Sequence, residues 1–324
     1  MIEENKYSCY ISKICEYEIN NLPPVMLDWF SKAEIEENIL KFLNKFFERF
    51  FGGPEDQDFE TNKKFPEALA EDFKVHIIEL ADNKFAVTLF EYEDDYQNDK
   101  RTVSLLFKNF NMIDICRNEL ELILSRYKVF NPAELNYSEY ESGEINNMIY
   151  KAEPKYITMS GSINSIKQLP VNKNYDKINI EQIESMDFYT EYSDEYDLFF
   201  ERNESMRNKV DKESYESLEY IFNNGMLFKA IIDGEFAGVF AVIKTKNMFF
   251  KCFFIREELV FEKFRGNGYG AIFQRRVIES LPAEEFKIIS GNIHSQNKAS
   301  LRTAGKCGRS ATTTEFSINL KNLY

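Results

Sequence analysis

The stretch Val260-Phe261-Glu262-Lys263-Phe264-Arg265-Gly266-Asn267-Gly268-Tyr269-Gly270-Ala271 joins a strand-like aromatic segment, which ends at Val260, to an amphipathic run. Glycines at 266, 268 and 270 let the backbone turn sharply and come close to a ligand, where a side chain would block both. A glycine loop that opens a helix directs unpaired N–H groups outward beside the positive end of the helix dipole. Such a cradle suits a phosphate or pyrophosphate.

Working outward, the run after the loop puts Ile272, Phe273, Val277, Ile278 and Leu281 on one helical face, leaves Arg275, Arg276 and Glu279 outside, and stops at Pro282. Before the loop, Met226 to Ile232 and Phe236 to Val242 read as a hairpin around Asp233-Gly234, a pair that favours a type I′ turn. Phe249 to Val260 is the next strand. Phe286 to Ile293 follows as another, then a helix from Asn297 to Cys307 with Gly308 behind it, then a final strand from Thr312 to Leu320. Upstream, Lys177 to Ile183 reads as a strand, and Asp187 to Val210 and Lys212 to Phe222 as helical stretches. From residue 177 the order is β, α, α, β, β, β, glycine loop, α, β, α, β.

The 324 residues exceed one comfortable core, and the polar, proline-containing segment Gln168 to Asp176 suggests a division into domains 1–174 and 175–324. The N-terminal part reads as α+β: a helix over Ile35, Ile39, Leu43, Phe46 and Phe50 ending at Gly52-Gly53, a hairpin around Asp82-Asn83, a strand from Thr102 to Phe107, a helix carrying Leu120, Ile123 and Leu124, and a short strand at Tyr156 to Met159. This order echoes the second half, and two readings stay open: a degenerate copy of the same fold, or a separate α+β domain that shapes the acceptor site or binds a partner. Between Phe107 and Ile113, however, the chain has no glycine, and this half is not expected to hold a pyrophosphate.

Net charge is −14, and residues 226–324 carry 15 Lys or Arg against 9 Asp or Glu. The loop therefore lies in a locally basic region of an acidic chain, which fits a small phosphorylated ligand better than nucleic acid. Five scattered cysteines and two histidines form no metal-ligand spacing, so no metal is expected. No apolar run reaches the ~18 residues that span a bilayer, and a cytoplasmic protein without a membrane role is the expectation.

With the loop, the element order and the segment Asn297 to Gly308 (N-K-A-S-L-R-T-A-G-K-C-G) in view, the chain resembles the GCN5-related N-acetyltransferase (GNAT) family over about residues 176–324. Arg265, Gly268 and Gly270 meet the family signature, with Gly266 and Val260 as family-like additions. The resemblance implies a mixed sheet in which the strands ending at Val260 and near Ile293 diverge, with the pantetheine arm of acetyl-CoA between them. It implies backbone pairing of that arm at Leu259 and Val260, a pyrophosphate held by N–H groups of Arg265, Gly266, Asn267, Gly268, Tyr269, Gly270 and Ala271, and cofactor contacts from Asn297 and Ser300, with Arg302 and Lys306 further out.

The same resemblance implies direct transfer of acetyl from coenzyme A to an amine. An amine with pKa near 10.4 costs roughly 4.6 kcal/mol to deprotonate at pH 7, so a base is useful. Candidates are Glu257 and Glu258, which the strand period sends to opposite faces, and His294. Many relatives place a tyrosine acid seven residues beyond the asparagine; here that position is Ala304. Cys307 reads as packing. The acidic, aromatic segment Glu191 to Asp197 is either a solvated helix face or a site for a cationic amine, small molecule or peptide. Two functions stay open: an N-acetyltransferase, or an acyl-CoA-binding regulatory protein without turnover. The sequence leaves the oligomeric state open.

Overall fold

The computed structural model describes residues 6–51, 64–95, 98–140, 150–171, 173–247 and 249–322; the Gly52-Gly53 pair lies outside them. In chain order the elements are α1 (Ser8–Asn21), α2 (Pro24–Leu27), α3 (Lys32–Phe51), β1 (His76–Glu79), β2 (Phe85–Asp95), β3 (Asn98–Lys108), α4 (Arg117–Ser125), β4 (Glu134–Tyr140), β5 (Ala152–Ser162), α5 (Ile163–Gln168), β6 (Ile178–Gln182), α6 (Tyr189–Arg202), α7 (Tyr215–Asn223), β7 (Leu227–Ile232), β8 (Glu235–Asn247), β9 (Phe250–Val260), α8 (Tyr269–Ser280), β10 (Ile288–His294), α9 (Lys298–Lys306) and β11 (Ser310–Asn319). The expected order of the second half stands from β6 onward. Among the described residues no helix is long and apolar enough to cross a membrane, and no three His, Cys, Asp or Glu side chains gather as metal ligands do.

The chain divides into two compact units, Tyr156–Thr312 and Met1–Lys155 together with Thr313–Tyr324. The expected boundary near residue 175 is displaced for a physical reason. Tyr156–Ser162 of β5 pair antiparallel with β10, and Ile163 and Ile166 of α5 enter the same core, so residues 156–174 belong with the second unit. Thr313–Asn319 of β11 instead pair antiparallel with β4 of the first unit.

In the unit Tyr156–Thr312 the strands lie in the order β5, β10, β9, β8, β7, β6, all antiparallel except the pair β9 and β10. The β7–β8 turn holds Asp233 at φ 52° and Gly234 at φ 82°, the two left-handed residues a type I′ turn needs. Strands β8 and β9 are buried on both faces, Val239, Ala241 and Leu259 on one and Phe240, Val242 and Phe253 on the other. Helix α8 covers the sheet with Ile272, Phe273, Val277 and Ile278, and Phe273 meets Phe240 edge-on at 5.6 Å. Each such side chain contributes about 1.5–3 kcal/mol of burial. Arg275, expected outside, is buried: its Nη2 donates to the Lys167 carbonyl at the end of α5, and its Nε to Glu279.

The other unit repeats this plan. β1, β2 and β3 are antiparallel neighbours, β3 runs parallel to β4, and β11 closes the sheet where β5 does in its counterpart. The β2–β3 register shifts so that Leu106 has no partner, and the β3–β4 ladder stops at Leu105 and Tyr137 although both strands continue. Beyond that point Lys108 Nζ on β3 reaches Glu139 Oε1 on β4 at 3.1 Å, Tyr17 Oη at 2.9 Å and the Phe110 carbonyl at 3.1 Å. The N-terminus of α4 is capped from within, the Cys116 N–H donating to Glu119 Oε2 at 2.9 Å. Strand β4 carries buried Leu135 and Tyr137 in a stretch whose polar composition reads as loop.

Candidate acyl-donor site

At the end of β9 the chain makes a single 3₁₀ turn, Glu262–Phe264, then enters the glycine loop. Gly266 has φ +83° and Gly268 φ +78°, values that L side chains rarely adopt, and a Cβ on either would meet nothing within 4 Å. The loop therefore faces open space, as a cradle for a bulky anion requires. Helix α8 starts at Tyr269, and the N–H groups of Gly266, Asn267, Gly268 and Tyr269 have no backbone acceptor among the described residues. Arg265 secures the loop instead of reaching outward. Its Nε donates to the Val260 carbonyl at 2.7 Å, its Nη1 to Glu262 Oε2 at 3.1 Å, and its guanidinium lies over Phe199, 5.1 Å from the ring centre. The Asn267 amide donates to the Arg265 carbonyl at 3.3 Å. Gly270 and Ala271 form the first turn of α8, and a Cβ on Gly270 would stand 3.1 Å from Thr303 Cγ2 and 3.4 Å from Glu258 Oε1.

Beside the loop, the parallel ladder of β9 and β10 holds only at Cys252–Ile288, Phe253–Ile289 and Phe254–Ser290. Both strands run on, β9 to Val260 against β8 and β10 to His294 against β5, without pairing with each other. The resulting fork lies next to the N-terminus of α8. A bulge helps to open it: on β8 Ala241 faces Glu257 and Val242 faces Ile255, so Arg256 is left unpaired. Exposed Arg256 reaches Glu213 at 2.8 Å, tying the bulge to the α6–α7 connection.

Glu257 and Glu258 part to opposite faces, as the period of two requires. Both oxygens of Glu257 are engaged. Oε2 accepts from Tyr192 Oη at 2.5 Å and Tyr196 Oη at 3.0 Å, and Oε1 accepts from Tyr196 at 2.9 Å and from the Glu258 N–H at 2.8 Å. Burial raises this carboxyl to about 7, against the pull of the two phenols. Glu258 faces α8, its Oε2 accepting from Gln274 Nε2, while Oε1 has no hydrogen-bond donor among the described residues. Burial raises it to about 7 as well, with Arg309 and Gln274 opposing and Glu257 adding.

Asn297 caps α9, its Oδ1 accepting from the Ser300 N–H at 3.1 Å, so one end of its amide has a structural role. Ser300 is half-buried in the first turn. His294 lies at the far end of β10, where Nδ1 accepts from the Gln296 N–H at 3.2 Å and the ring sits edge-on to Tyr156 at 5.4 Å. Ala304 is fully buried, and burial pushes the Cys307 thiol up to about 12. Within Glu191 to Asp197, Tyr192 and Tyr196 hold Glu257, Glu195 Oε2 accepts from the Glu262 N–H at 2.8 Å, and Asp197 lies 3.6 Å from Lys212. Much of that stretch serves the fold. Gln274 and Arg309 escape sequence reasoning, since a polar residue on a helix and an arginine behind a glycine read as surface.

No protein-family model and no curated protein matches the chain. Among solved structures the chain is similar to a GCN5-related N-acetyltransferase from Sphaerobacter thermophilus, at 12% identity over 79% of this chain and 88% of that one, with a TM-score of 0.48. It is also similar to a tandem GNAT protein from the clavulanic acid biosynthesis pathway, at 10% identity over 98% and 95%, TM-score 0.46. A GNAT-family acetyltransferase from Colwellia psychrerythraea aligns at 12% identity over 87% and 96%, TM-score 0.45. At these values the functional reading rests on the geometry above.

Proposed function

We propose that the chain is an acetyl-CoA-dependent N-acetyltransferase whose donor site lies in the unit Tyr156–Thr312. The observation that carries this reading is the fork between β9 and β10 beside a glycine loop whose N–H groups lack acceptors. A narrow slot with edge-strand backbone on its sides suits an extended amide-containing arm, and the loop suits its pyrophosphate. In this reading the N–H groups from Gly266 to Ala271 hold the pyrophosphate, Glu258, Leu259 and Val260 line the arm, and Asn297 and Ser300 flank it. Bound there, acetyl-CoA supplies a thioester to an amine nitrogen: the C–N bond forms, the C–S bond breaks, and the nitrogen's proton leaves by way of a base or water. Of the three candidate bases, Glu258 has an unoccupied oxygen, whereas both oxygens of Glu257 accept hydrogen bonds. His294 is too engaged in its turn to be the first choice.

A primary amine, small molecule or peptide, is the proposed acceptor. Exposed Glu191 and Asp194 on α6 favour a cationic one. The five cysteines are free thiols, which suits a reducing cytoplasm. A second reading, an acyl-CoA-binding protein without turnover, draws on buried Ala304, where relatives with a tyrosine acid carry their phenol. Thiol release from acetyl-CoA across polyamines, aminoglycosides, amino acids and peptides separates the two. Release with any acceptor at enzymatic rates supports the transferase; thermal stabilisation by coenzyme A without release supports the binding protein; neither effect removes both.

A further inference from the structure

Arg309 stands at the foot of the fork with only 4% of its surface exposed. Its Nε and Nη2 donate to the Met159 carbonyl of β5 at 3.1 and 2.8 Å, and Nη2 also approaches the Gly291 carbonyl of β10 at 3.4 Å. Gly291 makes room for it, since a Cβ there would stand 2.9 Å from Nη2 and 3.3 Å from Ile255 Cβ. Nη1 donates to Gln274 Oε1 at 3.3 Å, and Gln274, with no exposed surface, donates in turn from Nε2 to Glu258 Oε2. A continuous buried path thus runs from the β5–β10 arm through α8 to Glu258, beyond the end of the ladder.

The path has a direction set by chemistry. A guanidinium has donors only, so the Gln274 oxygen must face Arg309 and its NH₂ must face Glu258. Glu258 Oε2 is therefore held as an acceptor, and a proton on this carboxyl resides on Oε1. That oxygen lies at the first turn of α8, 3.4 Å from where a Cβ on Gly270 would be. We infer that Arg309 and Gln274 are positioning residues that orient Glu258 so that its exchangeable proton is carried on Oε1, facing the glycine-loop end of the slot. The inference rests on the proposed transferase only for what that proton is used for. Keeping a charged group so deeply buried, where an apolar residue would often be as stable, is consistent with such a role.

The test is the titration of the Glu258 carboxyl, read by difference infrared spectroscopy of the whole chain without coenzyme A, with Glu258→Gln to assign the band. The groups that act on this carboxyl are Arg309 and Gln274 on its own face, the Cys307 thiol of the α9 end, and Glu257 from the other face of β9. Gln274→Met removes the donor to Oε2 and is expected to raise the midpoint by roughly one pH unit. Arg309→Lys keeps the charge but loses the fork of donors, and is expected to move the midpoint the same way by less. In the transferase assay the kcat pH profile follows these shifts, with KM for acetyl-CoA changing less than about threefold. A midpoint unchanged in whichever variants fold, whatever their melting temperatures, overturns the inference. If no amine releases thiol, the transferase reading falls while the infrared titration still decides the positioning.

Discussion

Tyr192 Oη lies 2.5 Å from Glu257 Oε2, and with Tyr196 and the Glu258 N–H it gives both oxygens of that carboxylate a donor inside the fold. Glu257 therefore has no oxygen free for an incoming amine and is placed as a brace for the bulge. Glu257→Gln turns an NH₂ towards groups that donate, and is expected to lower the melting temperature while reducing kcat less than tenfold. Glu258→Gln is expected to reduce kcat a hundredfold or more, the range of a lost acid–base group. Steady-state kinetics on both variants decides, and the opposite ranking would assign the proton transfer to Glu257.

The pH dependence of stability follows from three carboxyls, Glu18, Glu257 and Glu258, each raised to about 7 mainly by burial. Between about 4.5 and 7 the native chain holds protons there that the unfolded chain has released. Their contribution is complete below about 4.5 and is lost as pH rises through 7, at about 1.4 kcal/mol per group per pH unit. Burial lowers His76, which works against this trend up to pH 6.5, and the lowered Glu119 and Glu134 remove stability on further acidification. Thermal melts are expected to peak near about pH 5 and decline towards pH 8; a flat profile over that range contradicts the assignment.

One coenzyme A per chain is expected by calorimetry. In the first unit the position matching the donor slot is bridged by Lys108 and Glu139, and its helix start is already capped by Glu119. Lys108→Met leaves Glu139 without its cation and is expected to cost about 3 kcal/mol, a loss reduced when Glu139→Gln is added. A stoichiometry of two would mean that this bridge opens for ligand.

Gly268→Val should separate binding from folding. The residue sits at φ +78° in open space, so a β-branched side chain is strained there without a clash. Affinity for coenzyme A is expected to fall at least tenfold, with a small drop in melting temperature. Unchanged affinity would place the pyrophosphate elsewhere.

Much of the proposed donor site is legible in the chain because it depends on local chemistry. The three glycines, the Asp233-Gly234 turn and the amphipathic run from Ile272 each have a mechanism that acts within a few residues. What is hidden depends on partners far apart in sequence. The bulge at Arg256 is a register choice between two strands, and Arg309 becomes buried only because Gly291 and Met159 are brought to it. Helix α1 has no clean apolar face to read, because its inner face carries Glu18, whose partner Tyr140 lies 122 residues away. Strand β4 is short of apolar residues and is recruited by β3 and β11.

The placement of β11 bears on how the chain is made. During synthesis β4 leaves the ribosome some 170 residues before Thr313–Asn319, its antiparallel neighbour, so one edge of the first sheet waits for almost the entire second half to be translated. At roughly 5–20 residues per second that interval is on the order of ten seconds or more. Nascent chains arrested before residue 313 should therefore carry an open strand edge that recruits chaperones or other chains, and a synonymous change that slows translation of the second half would lengthen that exposure without altering a single side chain.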